Sequence, residues 1–229
     1  MDELVHRENL SPNCDERQLP VSMVVLHYTG MPSAAEAEAR LCDAGCKVSA
    51  HYLIDEDGEV VRLVPEEKRA WHAGKSYWRG ITDVNSASIG IELVNPGHEW
   101  GYRPFPDAQI EALLPLLARI LETHGIAPGN VVGHSDVAPA RKEDPGELFP
   151  WSALAKRRLA LPSPTRDLMD PFWTDAGFLL ALERFGYDVT DTQKAVIAFQ
   201  RRFRPDLIDG IIDGECRAKL LALLLPRPQ

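Results

Sequence analysis

The chain has 229 residues, 45% of them apolar and 26% charged, with 25 Lys and Arg against 34 Asp and Glu for a formal net charge of −9. That length suits one large domain or a medium domain followed by a small one, and an acidic balance with no dense basic stripe argues against a nucleic-acid binder. The longest strongly apolar run, 220–225, falls far short of the ~20 residues that a bilayer span needs.

Residues 1–20 read as an irregular, charged arm without the apolar stretch of a signal peptide. Cys14, Cys42, Cys46 and Cys216 follow neither a disulfide framework nor a CxxC spacing, and read as free thiols of a reducing compartment. SMVVLHY (22–28) is a short β-rich run and predicts a buried strand. MPSAAEAEARLCDAG predicts a helix, opened by a capping box of Ser33 and Glu36 and stopped by Gly45. VSAHYLI (48–54) and EVVRLV (59–64) flank DEDG and predict a hairpin. SIGIELV (88–94) reads as a further strand. PDAQIEALLPLLARILETHG is the strongest helix, with Ile110, Leu113, Leu114, Leu117, Ile120 and Leu121 on one face and a kink expected at Pro115. NVVGH (130–134) predicts a last short strand. LPSPTRD (161–167) has a linker's composition. Beyond it three short helices are expected, at about 174–185 before Gly186, 191–203 with Thr190 and Gln193 as a capping box, and 214–225. The expected organisation is an arm over 1–20, an α/β domain over 21–162 and a small helical domain over 163–229 that leans on the first.

Three residues converge as candidate metal ligands. His27 ends one predicted strand, His134 ends another, and Asp144 follows ten residues later in RKEDPGELFPW. Strand ends release side chains into a shared cleft, and a catalytic zinc site needs three such ligands with one position open. Glu92 interrupts the apolar run IGIELVN. Strand alternation sets it with Gly90 and Val94, opposite Ile89, Ile91 and Leu93, where it can face the cleft as a general base. Lys142, two residues before Asp144, can set an ammonium where an oxyanion develops. On spacing alone, a lone histidine reads first as a surface or hydrogen-bonded group. His51, His98 and His124 are assigned no function.

The segments VVLHYT, VSAHYLI, LVPEEKRAWHAG, NSASIGIELVN and VVGHSDVAPARKEDPGELFPW resemble, in order and spacing, the N-acetylmuramoyl-L-alanine amidases of the amidase-2 group, nearest its AmiD-like branch, which is related to AmpD. The resemblance covers about 21–160. Residues 165–225, including GYDVT and VIAFQRRFRP, are similar more loosely to the helical peptidoglycan-binding-type domain of that branch. It implies a central mixed β-sheet flanked by helices, as in peptidoglycan recognition proteins, followed by a small three-helix domain. It implies one Zn2+ per chain on His27, His134 and Asp144, with Glu92 and Lys142 as catalytic residues. Trp71, His72, Ala73, Gly74 and Asn85 would line the substrate cleft, and Arg141 is a candidate for a stem-peptide carboxylate.

The implied reaction is hydrolysis of the amide between the lactyl group of N-acetylmuramic acid, or of its 1,6-anhydro form, and L-alanine of the stem peptide. The implied partners are muropeptides and anhydromuropeptides, with neither nucleic acid nor a membrane span. A non-catalytic peptidoglycan recognition module and a zinc-stabilised structural protein are the competing classes. The charged N-terminus and unpaired cysteines favour a cytoplasmic enzyme of wall recycling over an exported, periplasmic enzyme of wall remodelling.

Overall fold

Eight strands are described in the computed structural model: β1 (Arg7–Glu8), β2 (Cys14–Glu16), β3 (Met23–Tyr28), β4 (Tyr52–Ile54), β5 (Val60–Arg62), β6 (Lys68–Ala70), β7 (Ser88–Leu93) and β8 (Val131–Gly133). Six of them make one mixed sheet in the order β1-β5-β4-β7-β3-β8, while β2 and β6 pair separately and antiparallel. All neighbours in the large sheet run parallel except β4 and β5. The described residues are 4–164 and 168–225. Residues 1–3 of the expected arm, 165–167 of the expected linker and 226–229 of the expected helical domain lie outside them.

The helices are α1 (Ala34–Cys42), α2 (Val84–Ala87), α3 (Gly97–Trp100), α4 (Asp107–His124), α5 (His134–Val137), α6 (Trp151–Lys156), α7 (Asp175–Phe185), α8 (Thr192–Phe203) and α9 (Gly214–Leu224). Period-2 alternation in β3 sends Val24 and Leu26 to one face of the sheet and Met23, Val25 and His27 to the other. The first face joins Ile89, Ile91 and Leu93 under α4 and α6, where Leu113, Leu117, Ile120 and Leu154 are fully buried. Each such aliphatic side chain contributes roughly 1.5–3 kcal/mol on burial. The second face carries Val25 and Val132 against Val137 of α5 and Phe178, Leu182, Phe199 and Leu220 of α7–α9. Helices α7–α9 therefore share one continuous apolar cluster with the sheet. A third cluster places Ala37 and Leu41 of α1 over Leu53, Val61 and Leu63. The second face thus has α1 at one side and the C-terminal helices at the other, with His27 between them.

Several local expectations are corrected. The arm is not irregular: β1 extends the sheet beside β5, and β2 pairs with β6, because the arm's N–H and C=O groups find ladder partners there. Helix α1 stops at Cys42, not Gly45. Asp43 turns extended, and its carboxylate accepts from Gly45 N at 2.8 Å. Helix α4 spans Asp107–His124 with Pro115, the expected kink position, inside it and exposed. Its buried stripe includes Leu116, and Leu114 is only partly buried. Asp191, not Thr190, caps α8 by accepting from Lys194 N at 3.1 Å. Thr190 instead donates to Asp188. His134 is not the last residue of β8 but the first of α5. The Ser33 cap, the β4–β5 hairpin and Gly186 after α7 match the sequence reading. The hairpin turn needs Gly58: its φ is +92°, and a Cβ would lie 2.9 Å from the Ala108 carbonyl. Among the described residues no helix is long and apolar enough to cross a membrane.

Candidate metal centre and its cleft

His27 Nδ1, His134 Nδ1 and Asp144 Oδ2 lie at the corners of a triangle with every side 3.0 Å. All three residues are buried. The hydrogen-bond partners behind them fix which nitrogens carry protons. His134 Nε2 lies 3.1 Å from the Ala73 carbonyl, so Nε2 holds the proton and Nδ1 is a lone pair. Behind His27 the same logic runs through three groups. The Ser88 hydroxyl donates to the Val84 carbonyl at 2.5 Å, so Ser88 Oγ accepts from His72 Nε2 at 3.2 Å. His72 Nδ1 is then a lone pair that accepts from His27 Nε2 at 3.0 Å. This leaves His27 Nδ1 bare as well.

With both imidazoles neutral, the triangle consists of three electron-rich atoms with no proton between them. Such a set is repulsive unless a cation sits among them. Burial, and next the neighbouring His134, push the His27 imidazolium down to about 4, so His27 does not supply that charge near neutrality. Burial alone would raise the Asp144 carboxyl, but a proton on His134 or His27 outweighs it and holds the carboxyl below the ordinary carboxylate range, a positive charge that a metal would supply in its place. Two imidazoles and a carboxylate form the ligand set of an open catalytic zinc site. In a tetrahedral zinc site the ligand atoms are ~3.3 Å apart, close to the spacing here. The residues fit a metal, and each histidine has the outer partner that metal-bound histidines require.

Glu92 is paired in register with His27 across β7 and β3, so both side chains emerge on one face. Its Oε2 is shielded from solvent and has no hydrogen-bond partner among the described residues. Burial, with Asp144 nearby, raises its carboxyl well above the ordinary value, and Lys142 opposes the rise. Gly90 precedes Glu92 by two residues on the same face. A Cβ there would lie 2.5 Å from the His72 ring, so only glycine admits that ring beneath the strand. Glu92, Lys142 and the three triangle residues all line one cleft of about 560 Å³.

The loop that carries His134, Lys142 and Asp144 is braced from behind. Asp136 Oδ2 accepts from Gly133 N at 2.7 Å, and Ser135 N donates to the Asp144 carbonyl at 2.8 Å. Tyr187, just past α7, donates to Asp136 Oδ1 at 2.6 Å, and Arg202 of α8 lies 4.0 Å from Oδ2. The Arg202 guanidinium stacks 3.0 Å over the Trp151 ring. All of these side chains are buried.

The remaining sequence candidates divide between the cleft and its back wall. Trp71, His72 and Arg141 line the cleft. Ala73, Gly74 and Asn85 are not among its lining residues. Asn85 Oδ1 accepts from the backbone N–H of His72 and Ala73, at 3.0 and 2.7 Å, and so fixes the turn that presents the Ala73 carbonyl to His134. Arg141 donates to the carbonyls of Ala73 and Lys75. The three unassigned histidines have local partners. His51 Nδ1 accepts from Gly90 N, His98 contacts Tyr28 Oη and Glu147, and His124 meets Glu66. Sequence reasoning missed Ser88, Asp136 and Tyr187 behind the ligands, and Lys194, Ile197 and Arg201 of α8 in the cleft wall. Asp136 had a local signal, since an acid at the third position of a helix after a glycine is a capping pattern. Tyr187 had none.

Residues 17–147 match the family described as N-acetylmuramoyl-L-alanine amidase. N-acetylmuramoyl-L-alanine amidase AmiD of Escherichia coli (strain K12) is 40% identical, over 89% of this chain and 82% of its own length. The 1,6-anhydro-N-acetylmuramyl-L-alanine amidase AmpD of Enterobacter cloacae is 46% identical over 46% of this chain and 54% of its own. Among solved structures, the complex of E. coli AmiD with the substrate anhydro-N-acetylmuramic acid-L-Ala-D-gamma-Glu-L-Lys superposes with a TM-score of 0.80 at 37% identity, covering 93% of this chain and 90% of that one. AmpDh3 from Pseudomonas aeruginosa in complex with anhydromuramic pentapeptide gives 0.79 at 34% identity, covering 88% and 90%.

Proposed function

The chain belongs to the N-acetylmuramoyl-L-alanine amidase family, and from that premise we propose that it hydrolyses the amide between the lactyl group of N-acetylmuramic acid, or its 1,6-anhydro form, and L-alanine of peptidoglycan stem peptides, with one zinc ion on His27, His134 and Asp144. The observation that carries this reading is the triangle of three lone-pair atoms 3.0 Å apart beside a desolvated glutamate. Such a triangle asks for a cation, and the glutamate is a base without a fixed partner. Neither feature serves a module that only binds.

Zinc, when bound, would supply Lewis acidity toward water and toward the scissile carbonyl. The chain's own residues do the rest. Glu92 accepts the proton of the attacking water as its oxygen bonds to the lactyl carbonyl carbon. The Lys142 ammonium stabilises the negative charge that develops on the carbonyl oxygen. Glu92 then returns the proton to the departing L-alanine nitrogen as the C–N bond breaks, so that proton and electron pair both balance.

The four free thiols support a reducing compartment, the cytoplasm, and with it a role in recycling wall fragments. Recovery of the native protein from the periplasm would overturn that placement. The reaction itself is tested by mass spectrometry of purified muropeptides after incubation with and without a chelator. Release of intact stem peptide only without chelator, restored by added zinc, is the expected result. Unchanged muropeptides in every arm would leave a recognition module.

A further inference from the structure

Lys194, Ile197 and Arg201 of α8 stand in the wall of the cleft. Their i, i+3, i+7 spacing makes one stripe along the helix, while Ala195, Val196 and Phe199 are buried toward the sheet. Across the cleft, α1 contributes Arg40. Cleft-lining residues number five cationic and four acidic, in a chain whose formal charge is −9. The cleft is near charge balance in an acidic molecule, so unpaired cations in its wall can draw in anionic ligands.

Most of the charges that line the cleft are already engaged. Asp144 belongs to the ligand triangle and Glu92 faces it. Arg201 meets Glu143 and Glu147 at 3.7 and 3.5 Å. Arg141 is turned onto two backbone carbonyls. Lys142 stands beside Glu92 and Asp144. Glu99 is the one acid left over. Lys194 and Arg40 have no side-chain hydrogen bond or ion pair among the described residues, and both are exposed.

We propose that Lys194 of α8, with Arg40 of α1 opposite, forms a subsite for the carboxylates of the stem peptide, so that the C-terminal helices read the substrate beyond the scissile bond. This rests on the amidase reading. The peptide in the AmiD complex, L-Ala-D-gamma-Glu-L-Lys, supplies the matching chemistry. A γ-linked glutamate keeps its α-carboxylate free, and the chain end adds a second carboxylate. A single exposed cation at a cleft rim affects ground-state binding, and its contribution falls with added salt. The subsite therefore acts on KM and leaves the chemical step alone.

The test compares muramoyl tripeptide bearing free carboxylates with the same compound amidated at both. Steady-state kinetics are measured for the zinc-loaded wild type and for Lys194→Ala, Lys194→Glu and Arg40→Ala, with thermal melts to verify folding of these exposed sites. For the free acid at low salt, Lys194→Ala is expected to raise KM about fivefold and Lys194→Glu about 20-fold, with kcat unchanged. For the amidated compound, wild type and variants should share one KM. Two results overturn the subsite: a KM within about twofold of wild type for Lys194→Glu on the free acid, or an equal rise on both compounds. If wild type cleaves neither compound, the amidase reading itself falls.

Discussion

The two halves of the proposed metal site are built differently. His27 and Glu92 stand side by side on β3 and β7, in the middle of a sheet and in register. His134, Lys142 and Asp144 ride on a loop and a short helix that begin where β8 ends. The strand half is oriented by a short chain of groups, His27 to His72 to Ser88, lying within the sheet face. The loop half is oriented by Asp136, and Asp136 is held by Tyr187 and Arg202 from the C-terminal helices. One half is placed by backbone pairing. The other depends on a part of the chain fifty to seventy residues away, which gives the helices a structural task at the reaction centre beside the one at the cleft rim.

The largest effect should come from removing chemistry without removing metal. Glu92→Gln is expected to lower turnover about 1,000-fold, while zinc content stays at the wild-type level. Metal analysis and turnover on one sample check both. If metal were lost with activity, Glu92 would belong to the ligand set and the division of roles would fail.

The second pair of variants breaks the comparison directly. His72→Ala leaves His27 Nε2–H without its acceptor, and zinc affinity is expected to fall about 10–100-fold. Gly90→Ala should do the same, since its Cβ would lie 2.5 Å from the His72 ring. Tyr187→Phe loosens Asp136 on the other half and is expected to weaken zinc about 10-fold, with KM unchanged. Competition against a chromophoric chelator measures all three. Wild-type affinity in Tyr187→Phe would show that the loop needs no support from the helices.

The smallest effect belongs to a network remote from both halves. Glu66 accepts from Tyr52 Oη and Arg119 at 2.6 Å and meets His124 at 2.5 Å. Burial would raise its carboxyl, but Tyr52, His124 and Arg119 outweigh burial and lower it. A carboxyl lowered by folding stabilises the protein at pH above its unfolded value and loses that contribution as pH falls through the folded value. Glu66→Gln is therefore expected to cost about 2 kcal/mol near neutrality and progressively less on acidification, with zinc affinity intact. Denaturant titrations across pH follow it. A stability difference that grew on acidification would reverse the sign.

The strand half was legible in the sequence because period-2 alternation is a local signal. Glu92 in an apolar run, with Gly90 before it, already predicted a cleft-facing carboxylate, and the register with His27 agrees. The loop half was legible only as residue types at irregular spacing, and its weight came from the family resemblance. What lies behind the ligands was not legible. Ser88 and Tyr187 are ordinary residues whose roles exist only once distant segments meet. The arm was misread because two- and three-residue strands carry no periodicity. The cap of α8 was misread because Thr190 and Asp191 are both good capping residues, and only the backbone geometry decides between them.

The most direct test of a His27–His134–Asp144 metal site that drives amide hydrolysis is to measure bound zinc per chain and stem-peptide release on the same samples. The samples are wild type, His27→Ala, His134→Ala, Asp144→Ala and Glu92→Gln. One zinc per chain with release is expected in wild type, zinc without release in Glu92→Gln, and neither in the three ligand variants. Zinc held at full occupancy after loss of any one of the three ligands, or release undiminished without zinc, would contradict it.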